Sequence, residues 1–301
     1  MCRPDETTVA GPQPPVLPTC YISGAIASEP LTLKRLLPAG APATAEEIVA
    51  DFGLDGLAAS GPPNRPYVML NMVSTADGHA TLDGRSGPIS GSADRDLFHG
   101  LRMAVDAVMA GAGTVRVERY GRIIPDATRR QSRVARGRSE EPLACIVSGR
   151  LALEGDIPLL ADPAARVVIL TPSSASLPTG AAAAEVDYIR AARDGGQLDL
   201  AAALAELRAR FDVRTLLCEG GPHLNAQLLG AGLVDELFLS LSPLLAGGDP
   251  DGGGSKSLRI LAGPKLSPPV VLELCGVLEH DSGLFLRYSV REAPPGARGG
   301  A

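Results

Sequence analysis

Glu219-Gly220-Gly221-Pro222-His223-Leu224-Asn225 is the stretch of this 301-residue chain richest in chemistry. A carboxylate precedes two glycines, and a proline follows where a helix can begin, because the first helical position needs no N–H. The opening N–H groups of a helix lack partners within it and carry the positive end of its dipole. Paired glycines let a phosphate approach that backbone without meeting a Cβ. The pattern reads as an anion cradle beside an acid. Gly-Gly at strand ends is common, and a tight turn that binds nothing has the same composition.

Two further turns carry polar groups. Gly111-Ala112-Gly113-Thr114 is a second glycine-rich strand end, with a hydroxyl that can face a cofactor. Ser74 to His79 contains Asp77, the best acid for orienting water or substrate, although a plain Asp-Gly turn reads alike. No GxGxxG opens a first strand–helix unit, and no acid follows at about 20 residues to hold a ribose. Phosphates would instead be shared between the turns at 111–114 and 220–224.

These turns need elements to hold them. Residues 216–218 read as a short buried strand. Leu224, Leu228 and Leu229 give one apolar helical face, ended by Gly230 and Gly232. Residues 237–241 form the next strand. Residues 67–73 and 106–110 are nearly continuous apolar runs, as expected of strands covered on both faces. Residues 143–147 and 166–170 add two more. Ser92 and Asp199 are read as helix caps. Residues 270–279 and 284–290 alternate apolar and polar side chains around Asp281-Ser282-Gly283, which is a hairpin. Such an order implies an α/β fold with a mixed, mostly parallel sheet, helices on both faces and a C-terminal antiparallel hairpin.

Residues 1–64 read as a Pro/Ala-rich N-terminal extension, partly disordered, with short helices over 31–38 and 44–52, the second capped by Thr44. The domain proper spans 65–291, and 292–301 is a disordered tail. Residues 126–141 read as an exposed loop. A net charge of −6 offers no basic excess for a nucleic-acid partner. No apolar run approaches the roughly 18 residues of a membrane span, and a signal-peptide pattern is missing. The five cysteines form no CxxC pair, which suits buried thiols of a cytoplasmic protein. The four histidines show no metal-ligand spacing, so no metal is expected.

The order Glu-Gly-Gly-Pro, helix, then Val234-Asp235-Glu236-Leu237 resembles the reductase domain of riboflavin biosynthesis, found at the carboxyl end of bifunctional deaminase–reductases. Asp77-Gly78 and Gly113-Thr114-Val115 stand in matching order. The resemblance implies a dihydrofolate-reductase-like three-layer sandwich, NADPH as cofactor and a homodimer. Its small-molecule substrate would be a ribosylaminopyrimidine 5′-phosphate, reduced at the ribose C1 in its open-chain imine form. The zinc deaminase signature is absent, so a stand-alone reductase is expected.

The same resemblance places Val73, Thr114, Glu118, Ser148, Gly220, Gly221, Pro222, His223, Leu224 and Asn225 on the cofactor. It places Ser86, Arg102 and Glu219 on the substrate, with Arg102 at the phosphate. Glu219 and Asp77 are the acids expected at the reaction. Beside Ser148, Arg150 suits a 2′-phosphate, though a solvated arginine reads the same way. The run Arg116-Val117-Glu118-Arg119-Tyr120-Gly121-Arg122 departs from the bifunctional enzymes and lacks their substrate-holding leucine and arginine. Two alternatives stay open: a reductase of a pterin such as dihydrofolate, and a non-catalytic nucleotide-binding module.

Overall fold

The computed structural model describes residues 30–153, 157–248 and 258–291. Strands β1 (Thr32–Leu37) and β2 (Ala39–Thr44) come first, then helices α1 (Ala45–Asp51) and α2 (Leu54–Ser60). β3 (Tyr67–Thr75) leads through a polar loop to α3 (Ser92–Ala104), and β4 (Ala107–Gly111) to α4 (Ala112–Val117) and α5 (Ala127–Ala135). β5 (Leu143–Val147), α6 (Pro158–Ala161), β6 (Arg166–Thr171) and β7 (Glu185–Arg190) follow. α7 (Leu200–Phe211), β8 (Thr215–Cys218), α8 (Pro222–Gly230) and β9 (Glu236–Ser242) precede the hairpin of β10 (Val271–His280) and β11 (Gly283–Arg291).

The strands join one sheet in the order β2-β1-β10-β11-β9-β3-β8-β4-β5-β6-β7. From β9 to β7 all neighbours are parallel, and from β9 to β2 all are antiparallel. The mixed sheet and terminal hairpin thus match the sequence reading. Asp281 and Ser282 turn the hairpin with φ of 48° and 65°, the twist that suits a two-residue turn.

Period-two alternation explains the continuous apolar runs. Met69, Val108 and Leu217 face one core together with Ile48 of α1 and Leu97 and Leu101 of α3. Val68, Leu70, Met109 and Leu216 face the other, against Leu204 and Leu207 of α7 and Leu228 of α8. Both faces of each central strand are therefore buried by helices, which is why apolar residues dominate them. Burial at about 25 cal/mol per Å² of apolar surface makes this three-layer packing the main stabilising term.

Residues 31–64 are not outside the domain. β1 pairs with β10, Lys34 opposite Glu279, and Leu33 and Ile48 are fully buried in the first core. The expected helix over 31–38 is a strand, because a long-range partner overrides local propensity there. The second expected helix is present. Thr44 and Glu47 form a reciprocal capping box, with Thr44 N donating to Glu47 Oε2 at 2.8 Å. Gly91, not Ser92, occupies the cap position of α3. Residues 1–29 and the tail 292–301, both expected to be disordered, lie outside the described residues.

The expected loop over 126–141 contains α5, capped by Asp126, whose carboxylate accepts from Arg129 N at 2.7 Å. Its Arg133 is 1% exposed and donates to the carbonyls of Met103 and Val105, both at 2.8 Å. These are orphan carbonyls at the end of α3. The clamp fixes the helix end that carries Arg102.

Candidate active site

A cavity of about 770 Å³ opens at the carboxyl ends of β3, β4 and β8, where open α/β sheets bind ligands. Two glycine-rich turns meet at its floor. Gly111 N donates to Gly220 O at 2.8 Å, and Glu219 N donates to Met109 O at 2.9 Å. The Gly220–Gly221 peptide is cis, and Gly220 has φ of +91°, a conformation that favours glycine. A Cβ on Gly221 would lie 2.9 Å from Thr114 Oγ1. Glycine at 221 is therefore what lets the turn close against α4.

Gly221 then caps α8, with Pro222 at its start. Asn225 N bonds to Gly221 O, while the N–H groups of His223 and Leu224 have no intrahelical acceptor. Gly220 through Asn225 all line the cavity, as do Val73, Thr114 and Glu118. Bare backbone and a helix N-terminus face the cavity here, a surface that fits the diphosphate of a dinucleotide. Asn225 differs in its side chain, which is buried and donates to Ile260 O at 2.9 Å. That bond ties the strap at 258–262 to α8, and Ala262 N adds another to Pro222 O at 3.1 Å.

The opposite wall holds a buried polar cluster. Arg102, 7% exposed, sends Nε to Glu219 Oε1 and Nη2 to Glu219 Oε2, each at 2.7 Å. Its Nη1 donates to Ile123 O at 2.8 Å. The guanidinium lies 4.0 Å from the centre of the Phe98 ring, a cation–π contact. Tyr120 donates its hydroxyl to Glu219 Oε2 at 2.5 Å. Burial works against the Arg102 charge, and Glu219 more than offsets it, so its pKa is raised. Burial, reinforced by the Glu219 charge, holds the Tyr120 phenol well above its usual pKa. Tyr120 is thus a neutral donor. His99, on the same wall, is held below its ordinary pKa by burial and by Arg129 and Arg102.

Ser86 and Glu118 come together. The serine N–H and hydroxyl both donate to Glu118 Oε1, each at 2.9 Å. The residues expected on substrate and on cofactor thus share one corner of the cavity.

Two expectations need correction. Asp77 does not line the cavity. Its carboxylate accepts from Thr75 Oγ1 at 2.5 Å and from Gly247 N at 2.7 Å, which staples the loop after β3 to the one after β9. Those bonds hold its carboxyl below the usual carboxylate range. Ser148 is buried at the end of β5, its amide donating to Leu170 O, and it too is outside the cavity lining. Arg102 lines the cavity as expected, and there its charge is paired with Glu219.

Tyr120 and the strap residues Arg259 and Ile260 also line the cavity without having been singled out. Phe98 was readable, since it lies one helical turn before Arg102 on the same face. Nothing local in the sequence marks the strap. Among the described residues no His, Cys, Asp and Glu group could hold a metal, and no helix is long and apolar enough to cross a membrane.

A family model described as the RibD C-terminal domain matches residues 66–271. The chain is similar to two proteins named 2,5-diamino-6-ribosylamino-4(3H)-pyrimidinone 5′-phosphate reductase. That of Archaeoglobus fulgidus is 30% identical over 185 residues, spanning 61% of this chain and 83% of that one. That of Methanothermobacter thermautotrophicus is 29% identical over 184 residues, spanning 61% and 81%. The solved structure of a pyrimidine reductase-like protein from Corynebacterium diphtheriae superposes with a TM-score of 0.63 at 26% identity, covering 83% of this chain and all of that one. The fold is the dihydrofolate-reductase-like sandwich that the sequence led us to expect.

Proposed function

The chain belongs to the RibD C-terminal domain family, and from that premise we propose that it reduces a ribosylaminopyrimidine 5′-phosphate of riboflavin biosynthesis with hydride from NADPH. It is an oxidoreductase, and its archaeal relatives carry that substrate class in their names. One observation carries the site assignment: two glycine-rich strand ends touch at 2.8 Å directly beside the buried Glu219.

The cofactor, when bound, supplies a hydride, and the protein's part is to position and shield. The free N–H groups of His223 and Leu224 hold the diphosphate, and Gly220 and Gly221 keep side chains out of its way. Thr114 offers its hydroxyl from the facing turn. Glu219 orients the substrate. A carboxylate has about four acceptor positions. Arg102 and Tyr120 fill three of them. The fourth, on Oε1, is left for a substrate N–H or O–H. That hydride, delivered to the ribose C1 with a proton from solvent to the imine nitrogen, would give a ribitylamine. Ser86, fixed by Glu118, closes the substrate side.

The same proposal has the enzyme act in the cytoplasm as a homodimer, which sedimentation would check. The direct test follows loss of reduced nicotinamide absorbance with the diaminopyrimidinone phosphate, its aminouracil counterpart and dihydrofolate. Oxidation of NADPH, faster than of NADH, with a pyrimidine phosphate is expected. Turnover with dihydrofolate alone, or with none of the three, overturns the reading.

A further inference from the structure

A second cavity, of about 250 Å³, lies across α3 from the candidate active site. Leu97 and Leu101 of α3 face it, whereas Phe98 and Arg102 line the first cavity. Asn71 of β3 is the one described residue common to both linings. The outer walls come from residues 35–52 and 275–287, on β1, α1, β10 and β11, and these lie outside the stretch 66–271 that the family model matches.

The walls are aromatic, and their charges are already matched. Phe52, Phe238 and Phe285, three of the chain's five phenylalanines, line the cavity. The Phe52 and Phe238 rings sit 5.3 Å apart, and the Arg287 guanidinium lies 4.5 Å from the centre of Phe52. Surfaces of this kind hold flat rings. Arg287 is forked onto Glu236, with Nη2 to Oε1 at 2.7 Å and Nε to Oε2 at 2.9 Å, and Arg35 reaches Asp51 Oδ2 at 2.6 Å. A charged ligand would bring a charge with no counterion here, and a neutral one would not.

Two polar groups on the floor are left over. Ser240 is 7% exposed, lines the cavity, and its hydroxyl has no hydrogen-bond partner among the described residues. The Asn71 amide has none among them either. Ser240 stands beside Phe285 in the β9–β11 register, and Asn71 beside Phe238 in the β3–β9 register. Both therefore border the aromatic surface. A buried hydroxyl left unbonded is costly, and a ligand carrying a donor and an acceptor relieves that cost. A cavity of about 150 Å³ with apolar walls takes one benzene ring, so this one has room for two fused rings.

We propose that this cavity binds a neutral bicyclic heteroaromatic molecule, its faces against the phenylalanines and its donor–acceptor edge on Ser240 and Asn71. The site is independent of the reductase reading above. It opens to solvent beside Cys275, whose thiol is exposed.

The experiment titrates the full chain with quinazolin-4-one, two neutral fused rings bearing a carbonyl and an N–H, and with 2-naphthoate, two fused rings bearing a charge. Calorimetry is expected to give a Kd of about 0.1–1 mM for quinazolin-4-one, with 2-naphthoate about tenfold weaker or worse. Ser240→Ala should weaken quinazolin-4-one by about three- to tenfold. In wild type, saturating quinazolin-4-one should slow alkylation of Cys275 by iodoacetamide severalfold, read by peptide mass. No heat, equal or tighter binding of 2-naphthoate, an unchanged Kd in Ser240→Ala, or an unprotected Cys275 each overturns the assignment. The last two are what binding in the active-site cavity would give. None of these outcomes bears on the reductase reading.

Discussion

Arg102 and Glu219 meet as a two-pronged ion pair, Nε on Oε1 and Nη2 on Oε2 at 2.7 Å each, across 117 positions of sequence. The pair joins the end of α3 to the end of β8. Removing one member leaves the other as an uncompensated buried charge, at a cost of about 3–5 kcal/mol. Arg102→Met should therefore lose about that much in urea unfolding. The double variant Arg102→Met/Glu219→Met should lose clearly less than the two single variants summed. Simple additivity would show that the two side chains do not interact.

The two glycines differ in what they tolerate. Gly220 has positive φ, and a Cβ there would also meet Met72 Cε at 3.2 Å. Gly220→Ala should thus destabilise the fold by about 1–2 kcal/mol. Gly221 has φ of −69° and no such strain, so Gly221→Ala should fold. Its methyl would press on Thr114 Oγ1 and into the cradle, weakening dinucleotide binding measured by calorimetry. Adding Thr114→Ala should restore part of the affinity. Full wild-type affinity in Gly221→Ala would mean that the phosphates lie elsewhere.

Asp77 separates stability from catalysis. Its folded pKa is depressed by the bonds from Thr75, Gly247 and Ala246. A depressed carboxylate stabilises the fold above its unfolded pKa, and the benefit fades as pH falls through that value, near 4, toward the folded one. Asp77→Asn should be less stable than wild type at pH 7, and the two should converge below about pH 4. Its kcat/KM at pH 7 should change by less than a few-fold. A large catalytic loss with unchanged unfolding would return Asp77 to the reaction.

Tyr120→Phe deletes one donor to Glu219 and keeps the ring. The carboxylate stays forked on Arg102 but loses its second restraint. A fall in kcat/KM of about tenfold is expected, with NADPH affinity intact. An unaltered rate would reduce the hydroxyl to packing.

Much of this was readable before any coordinates. The central strands announced themselves because both of their faces are buried, and the Glu-Gly-Gly-Pro turn because its geometry restricts residue choice. What escaped depends on partners far along the chain. β1 is a strand because β10 lies beside it, and Arg133 is buried because α3 ends there with carbonyls to satisfy. Asp77 looked catalytic from its Asp-Gly setting, and only the position of Gly247 shows that its oxygens are occupied. The Arg102–Glu219 pair was visible as two site residues but not as each other's counterion.

The stretch that matches the family begins at residue 66 and stops at 271, the first residue of β10. Four strands of the sheet, β2, β1, β10 and β11, lie wholly or almost wholly beyond it. An expression clone trimmed to those limits would strip β11 from β9, leaving a raw hydrogen-bonding margin of seven residues open to solvent and to other chains. Aggregation of that clone, beside a well-behaved one that starts near residue 31, is what such an unprotected margin entails.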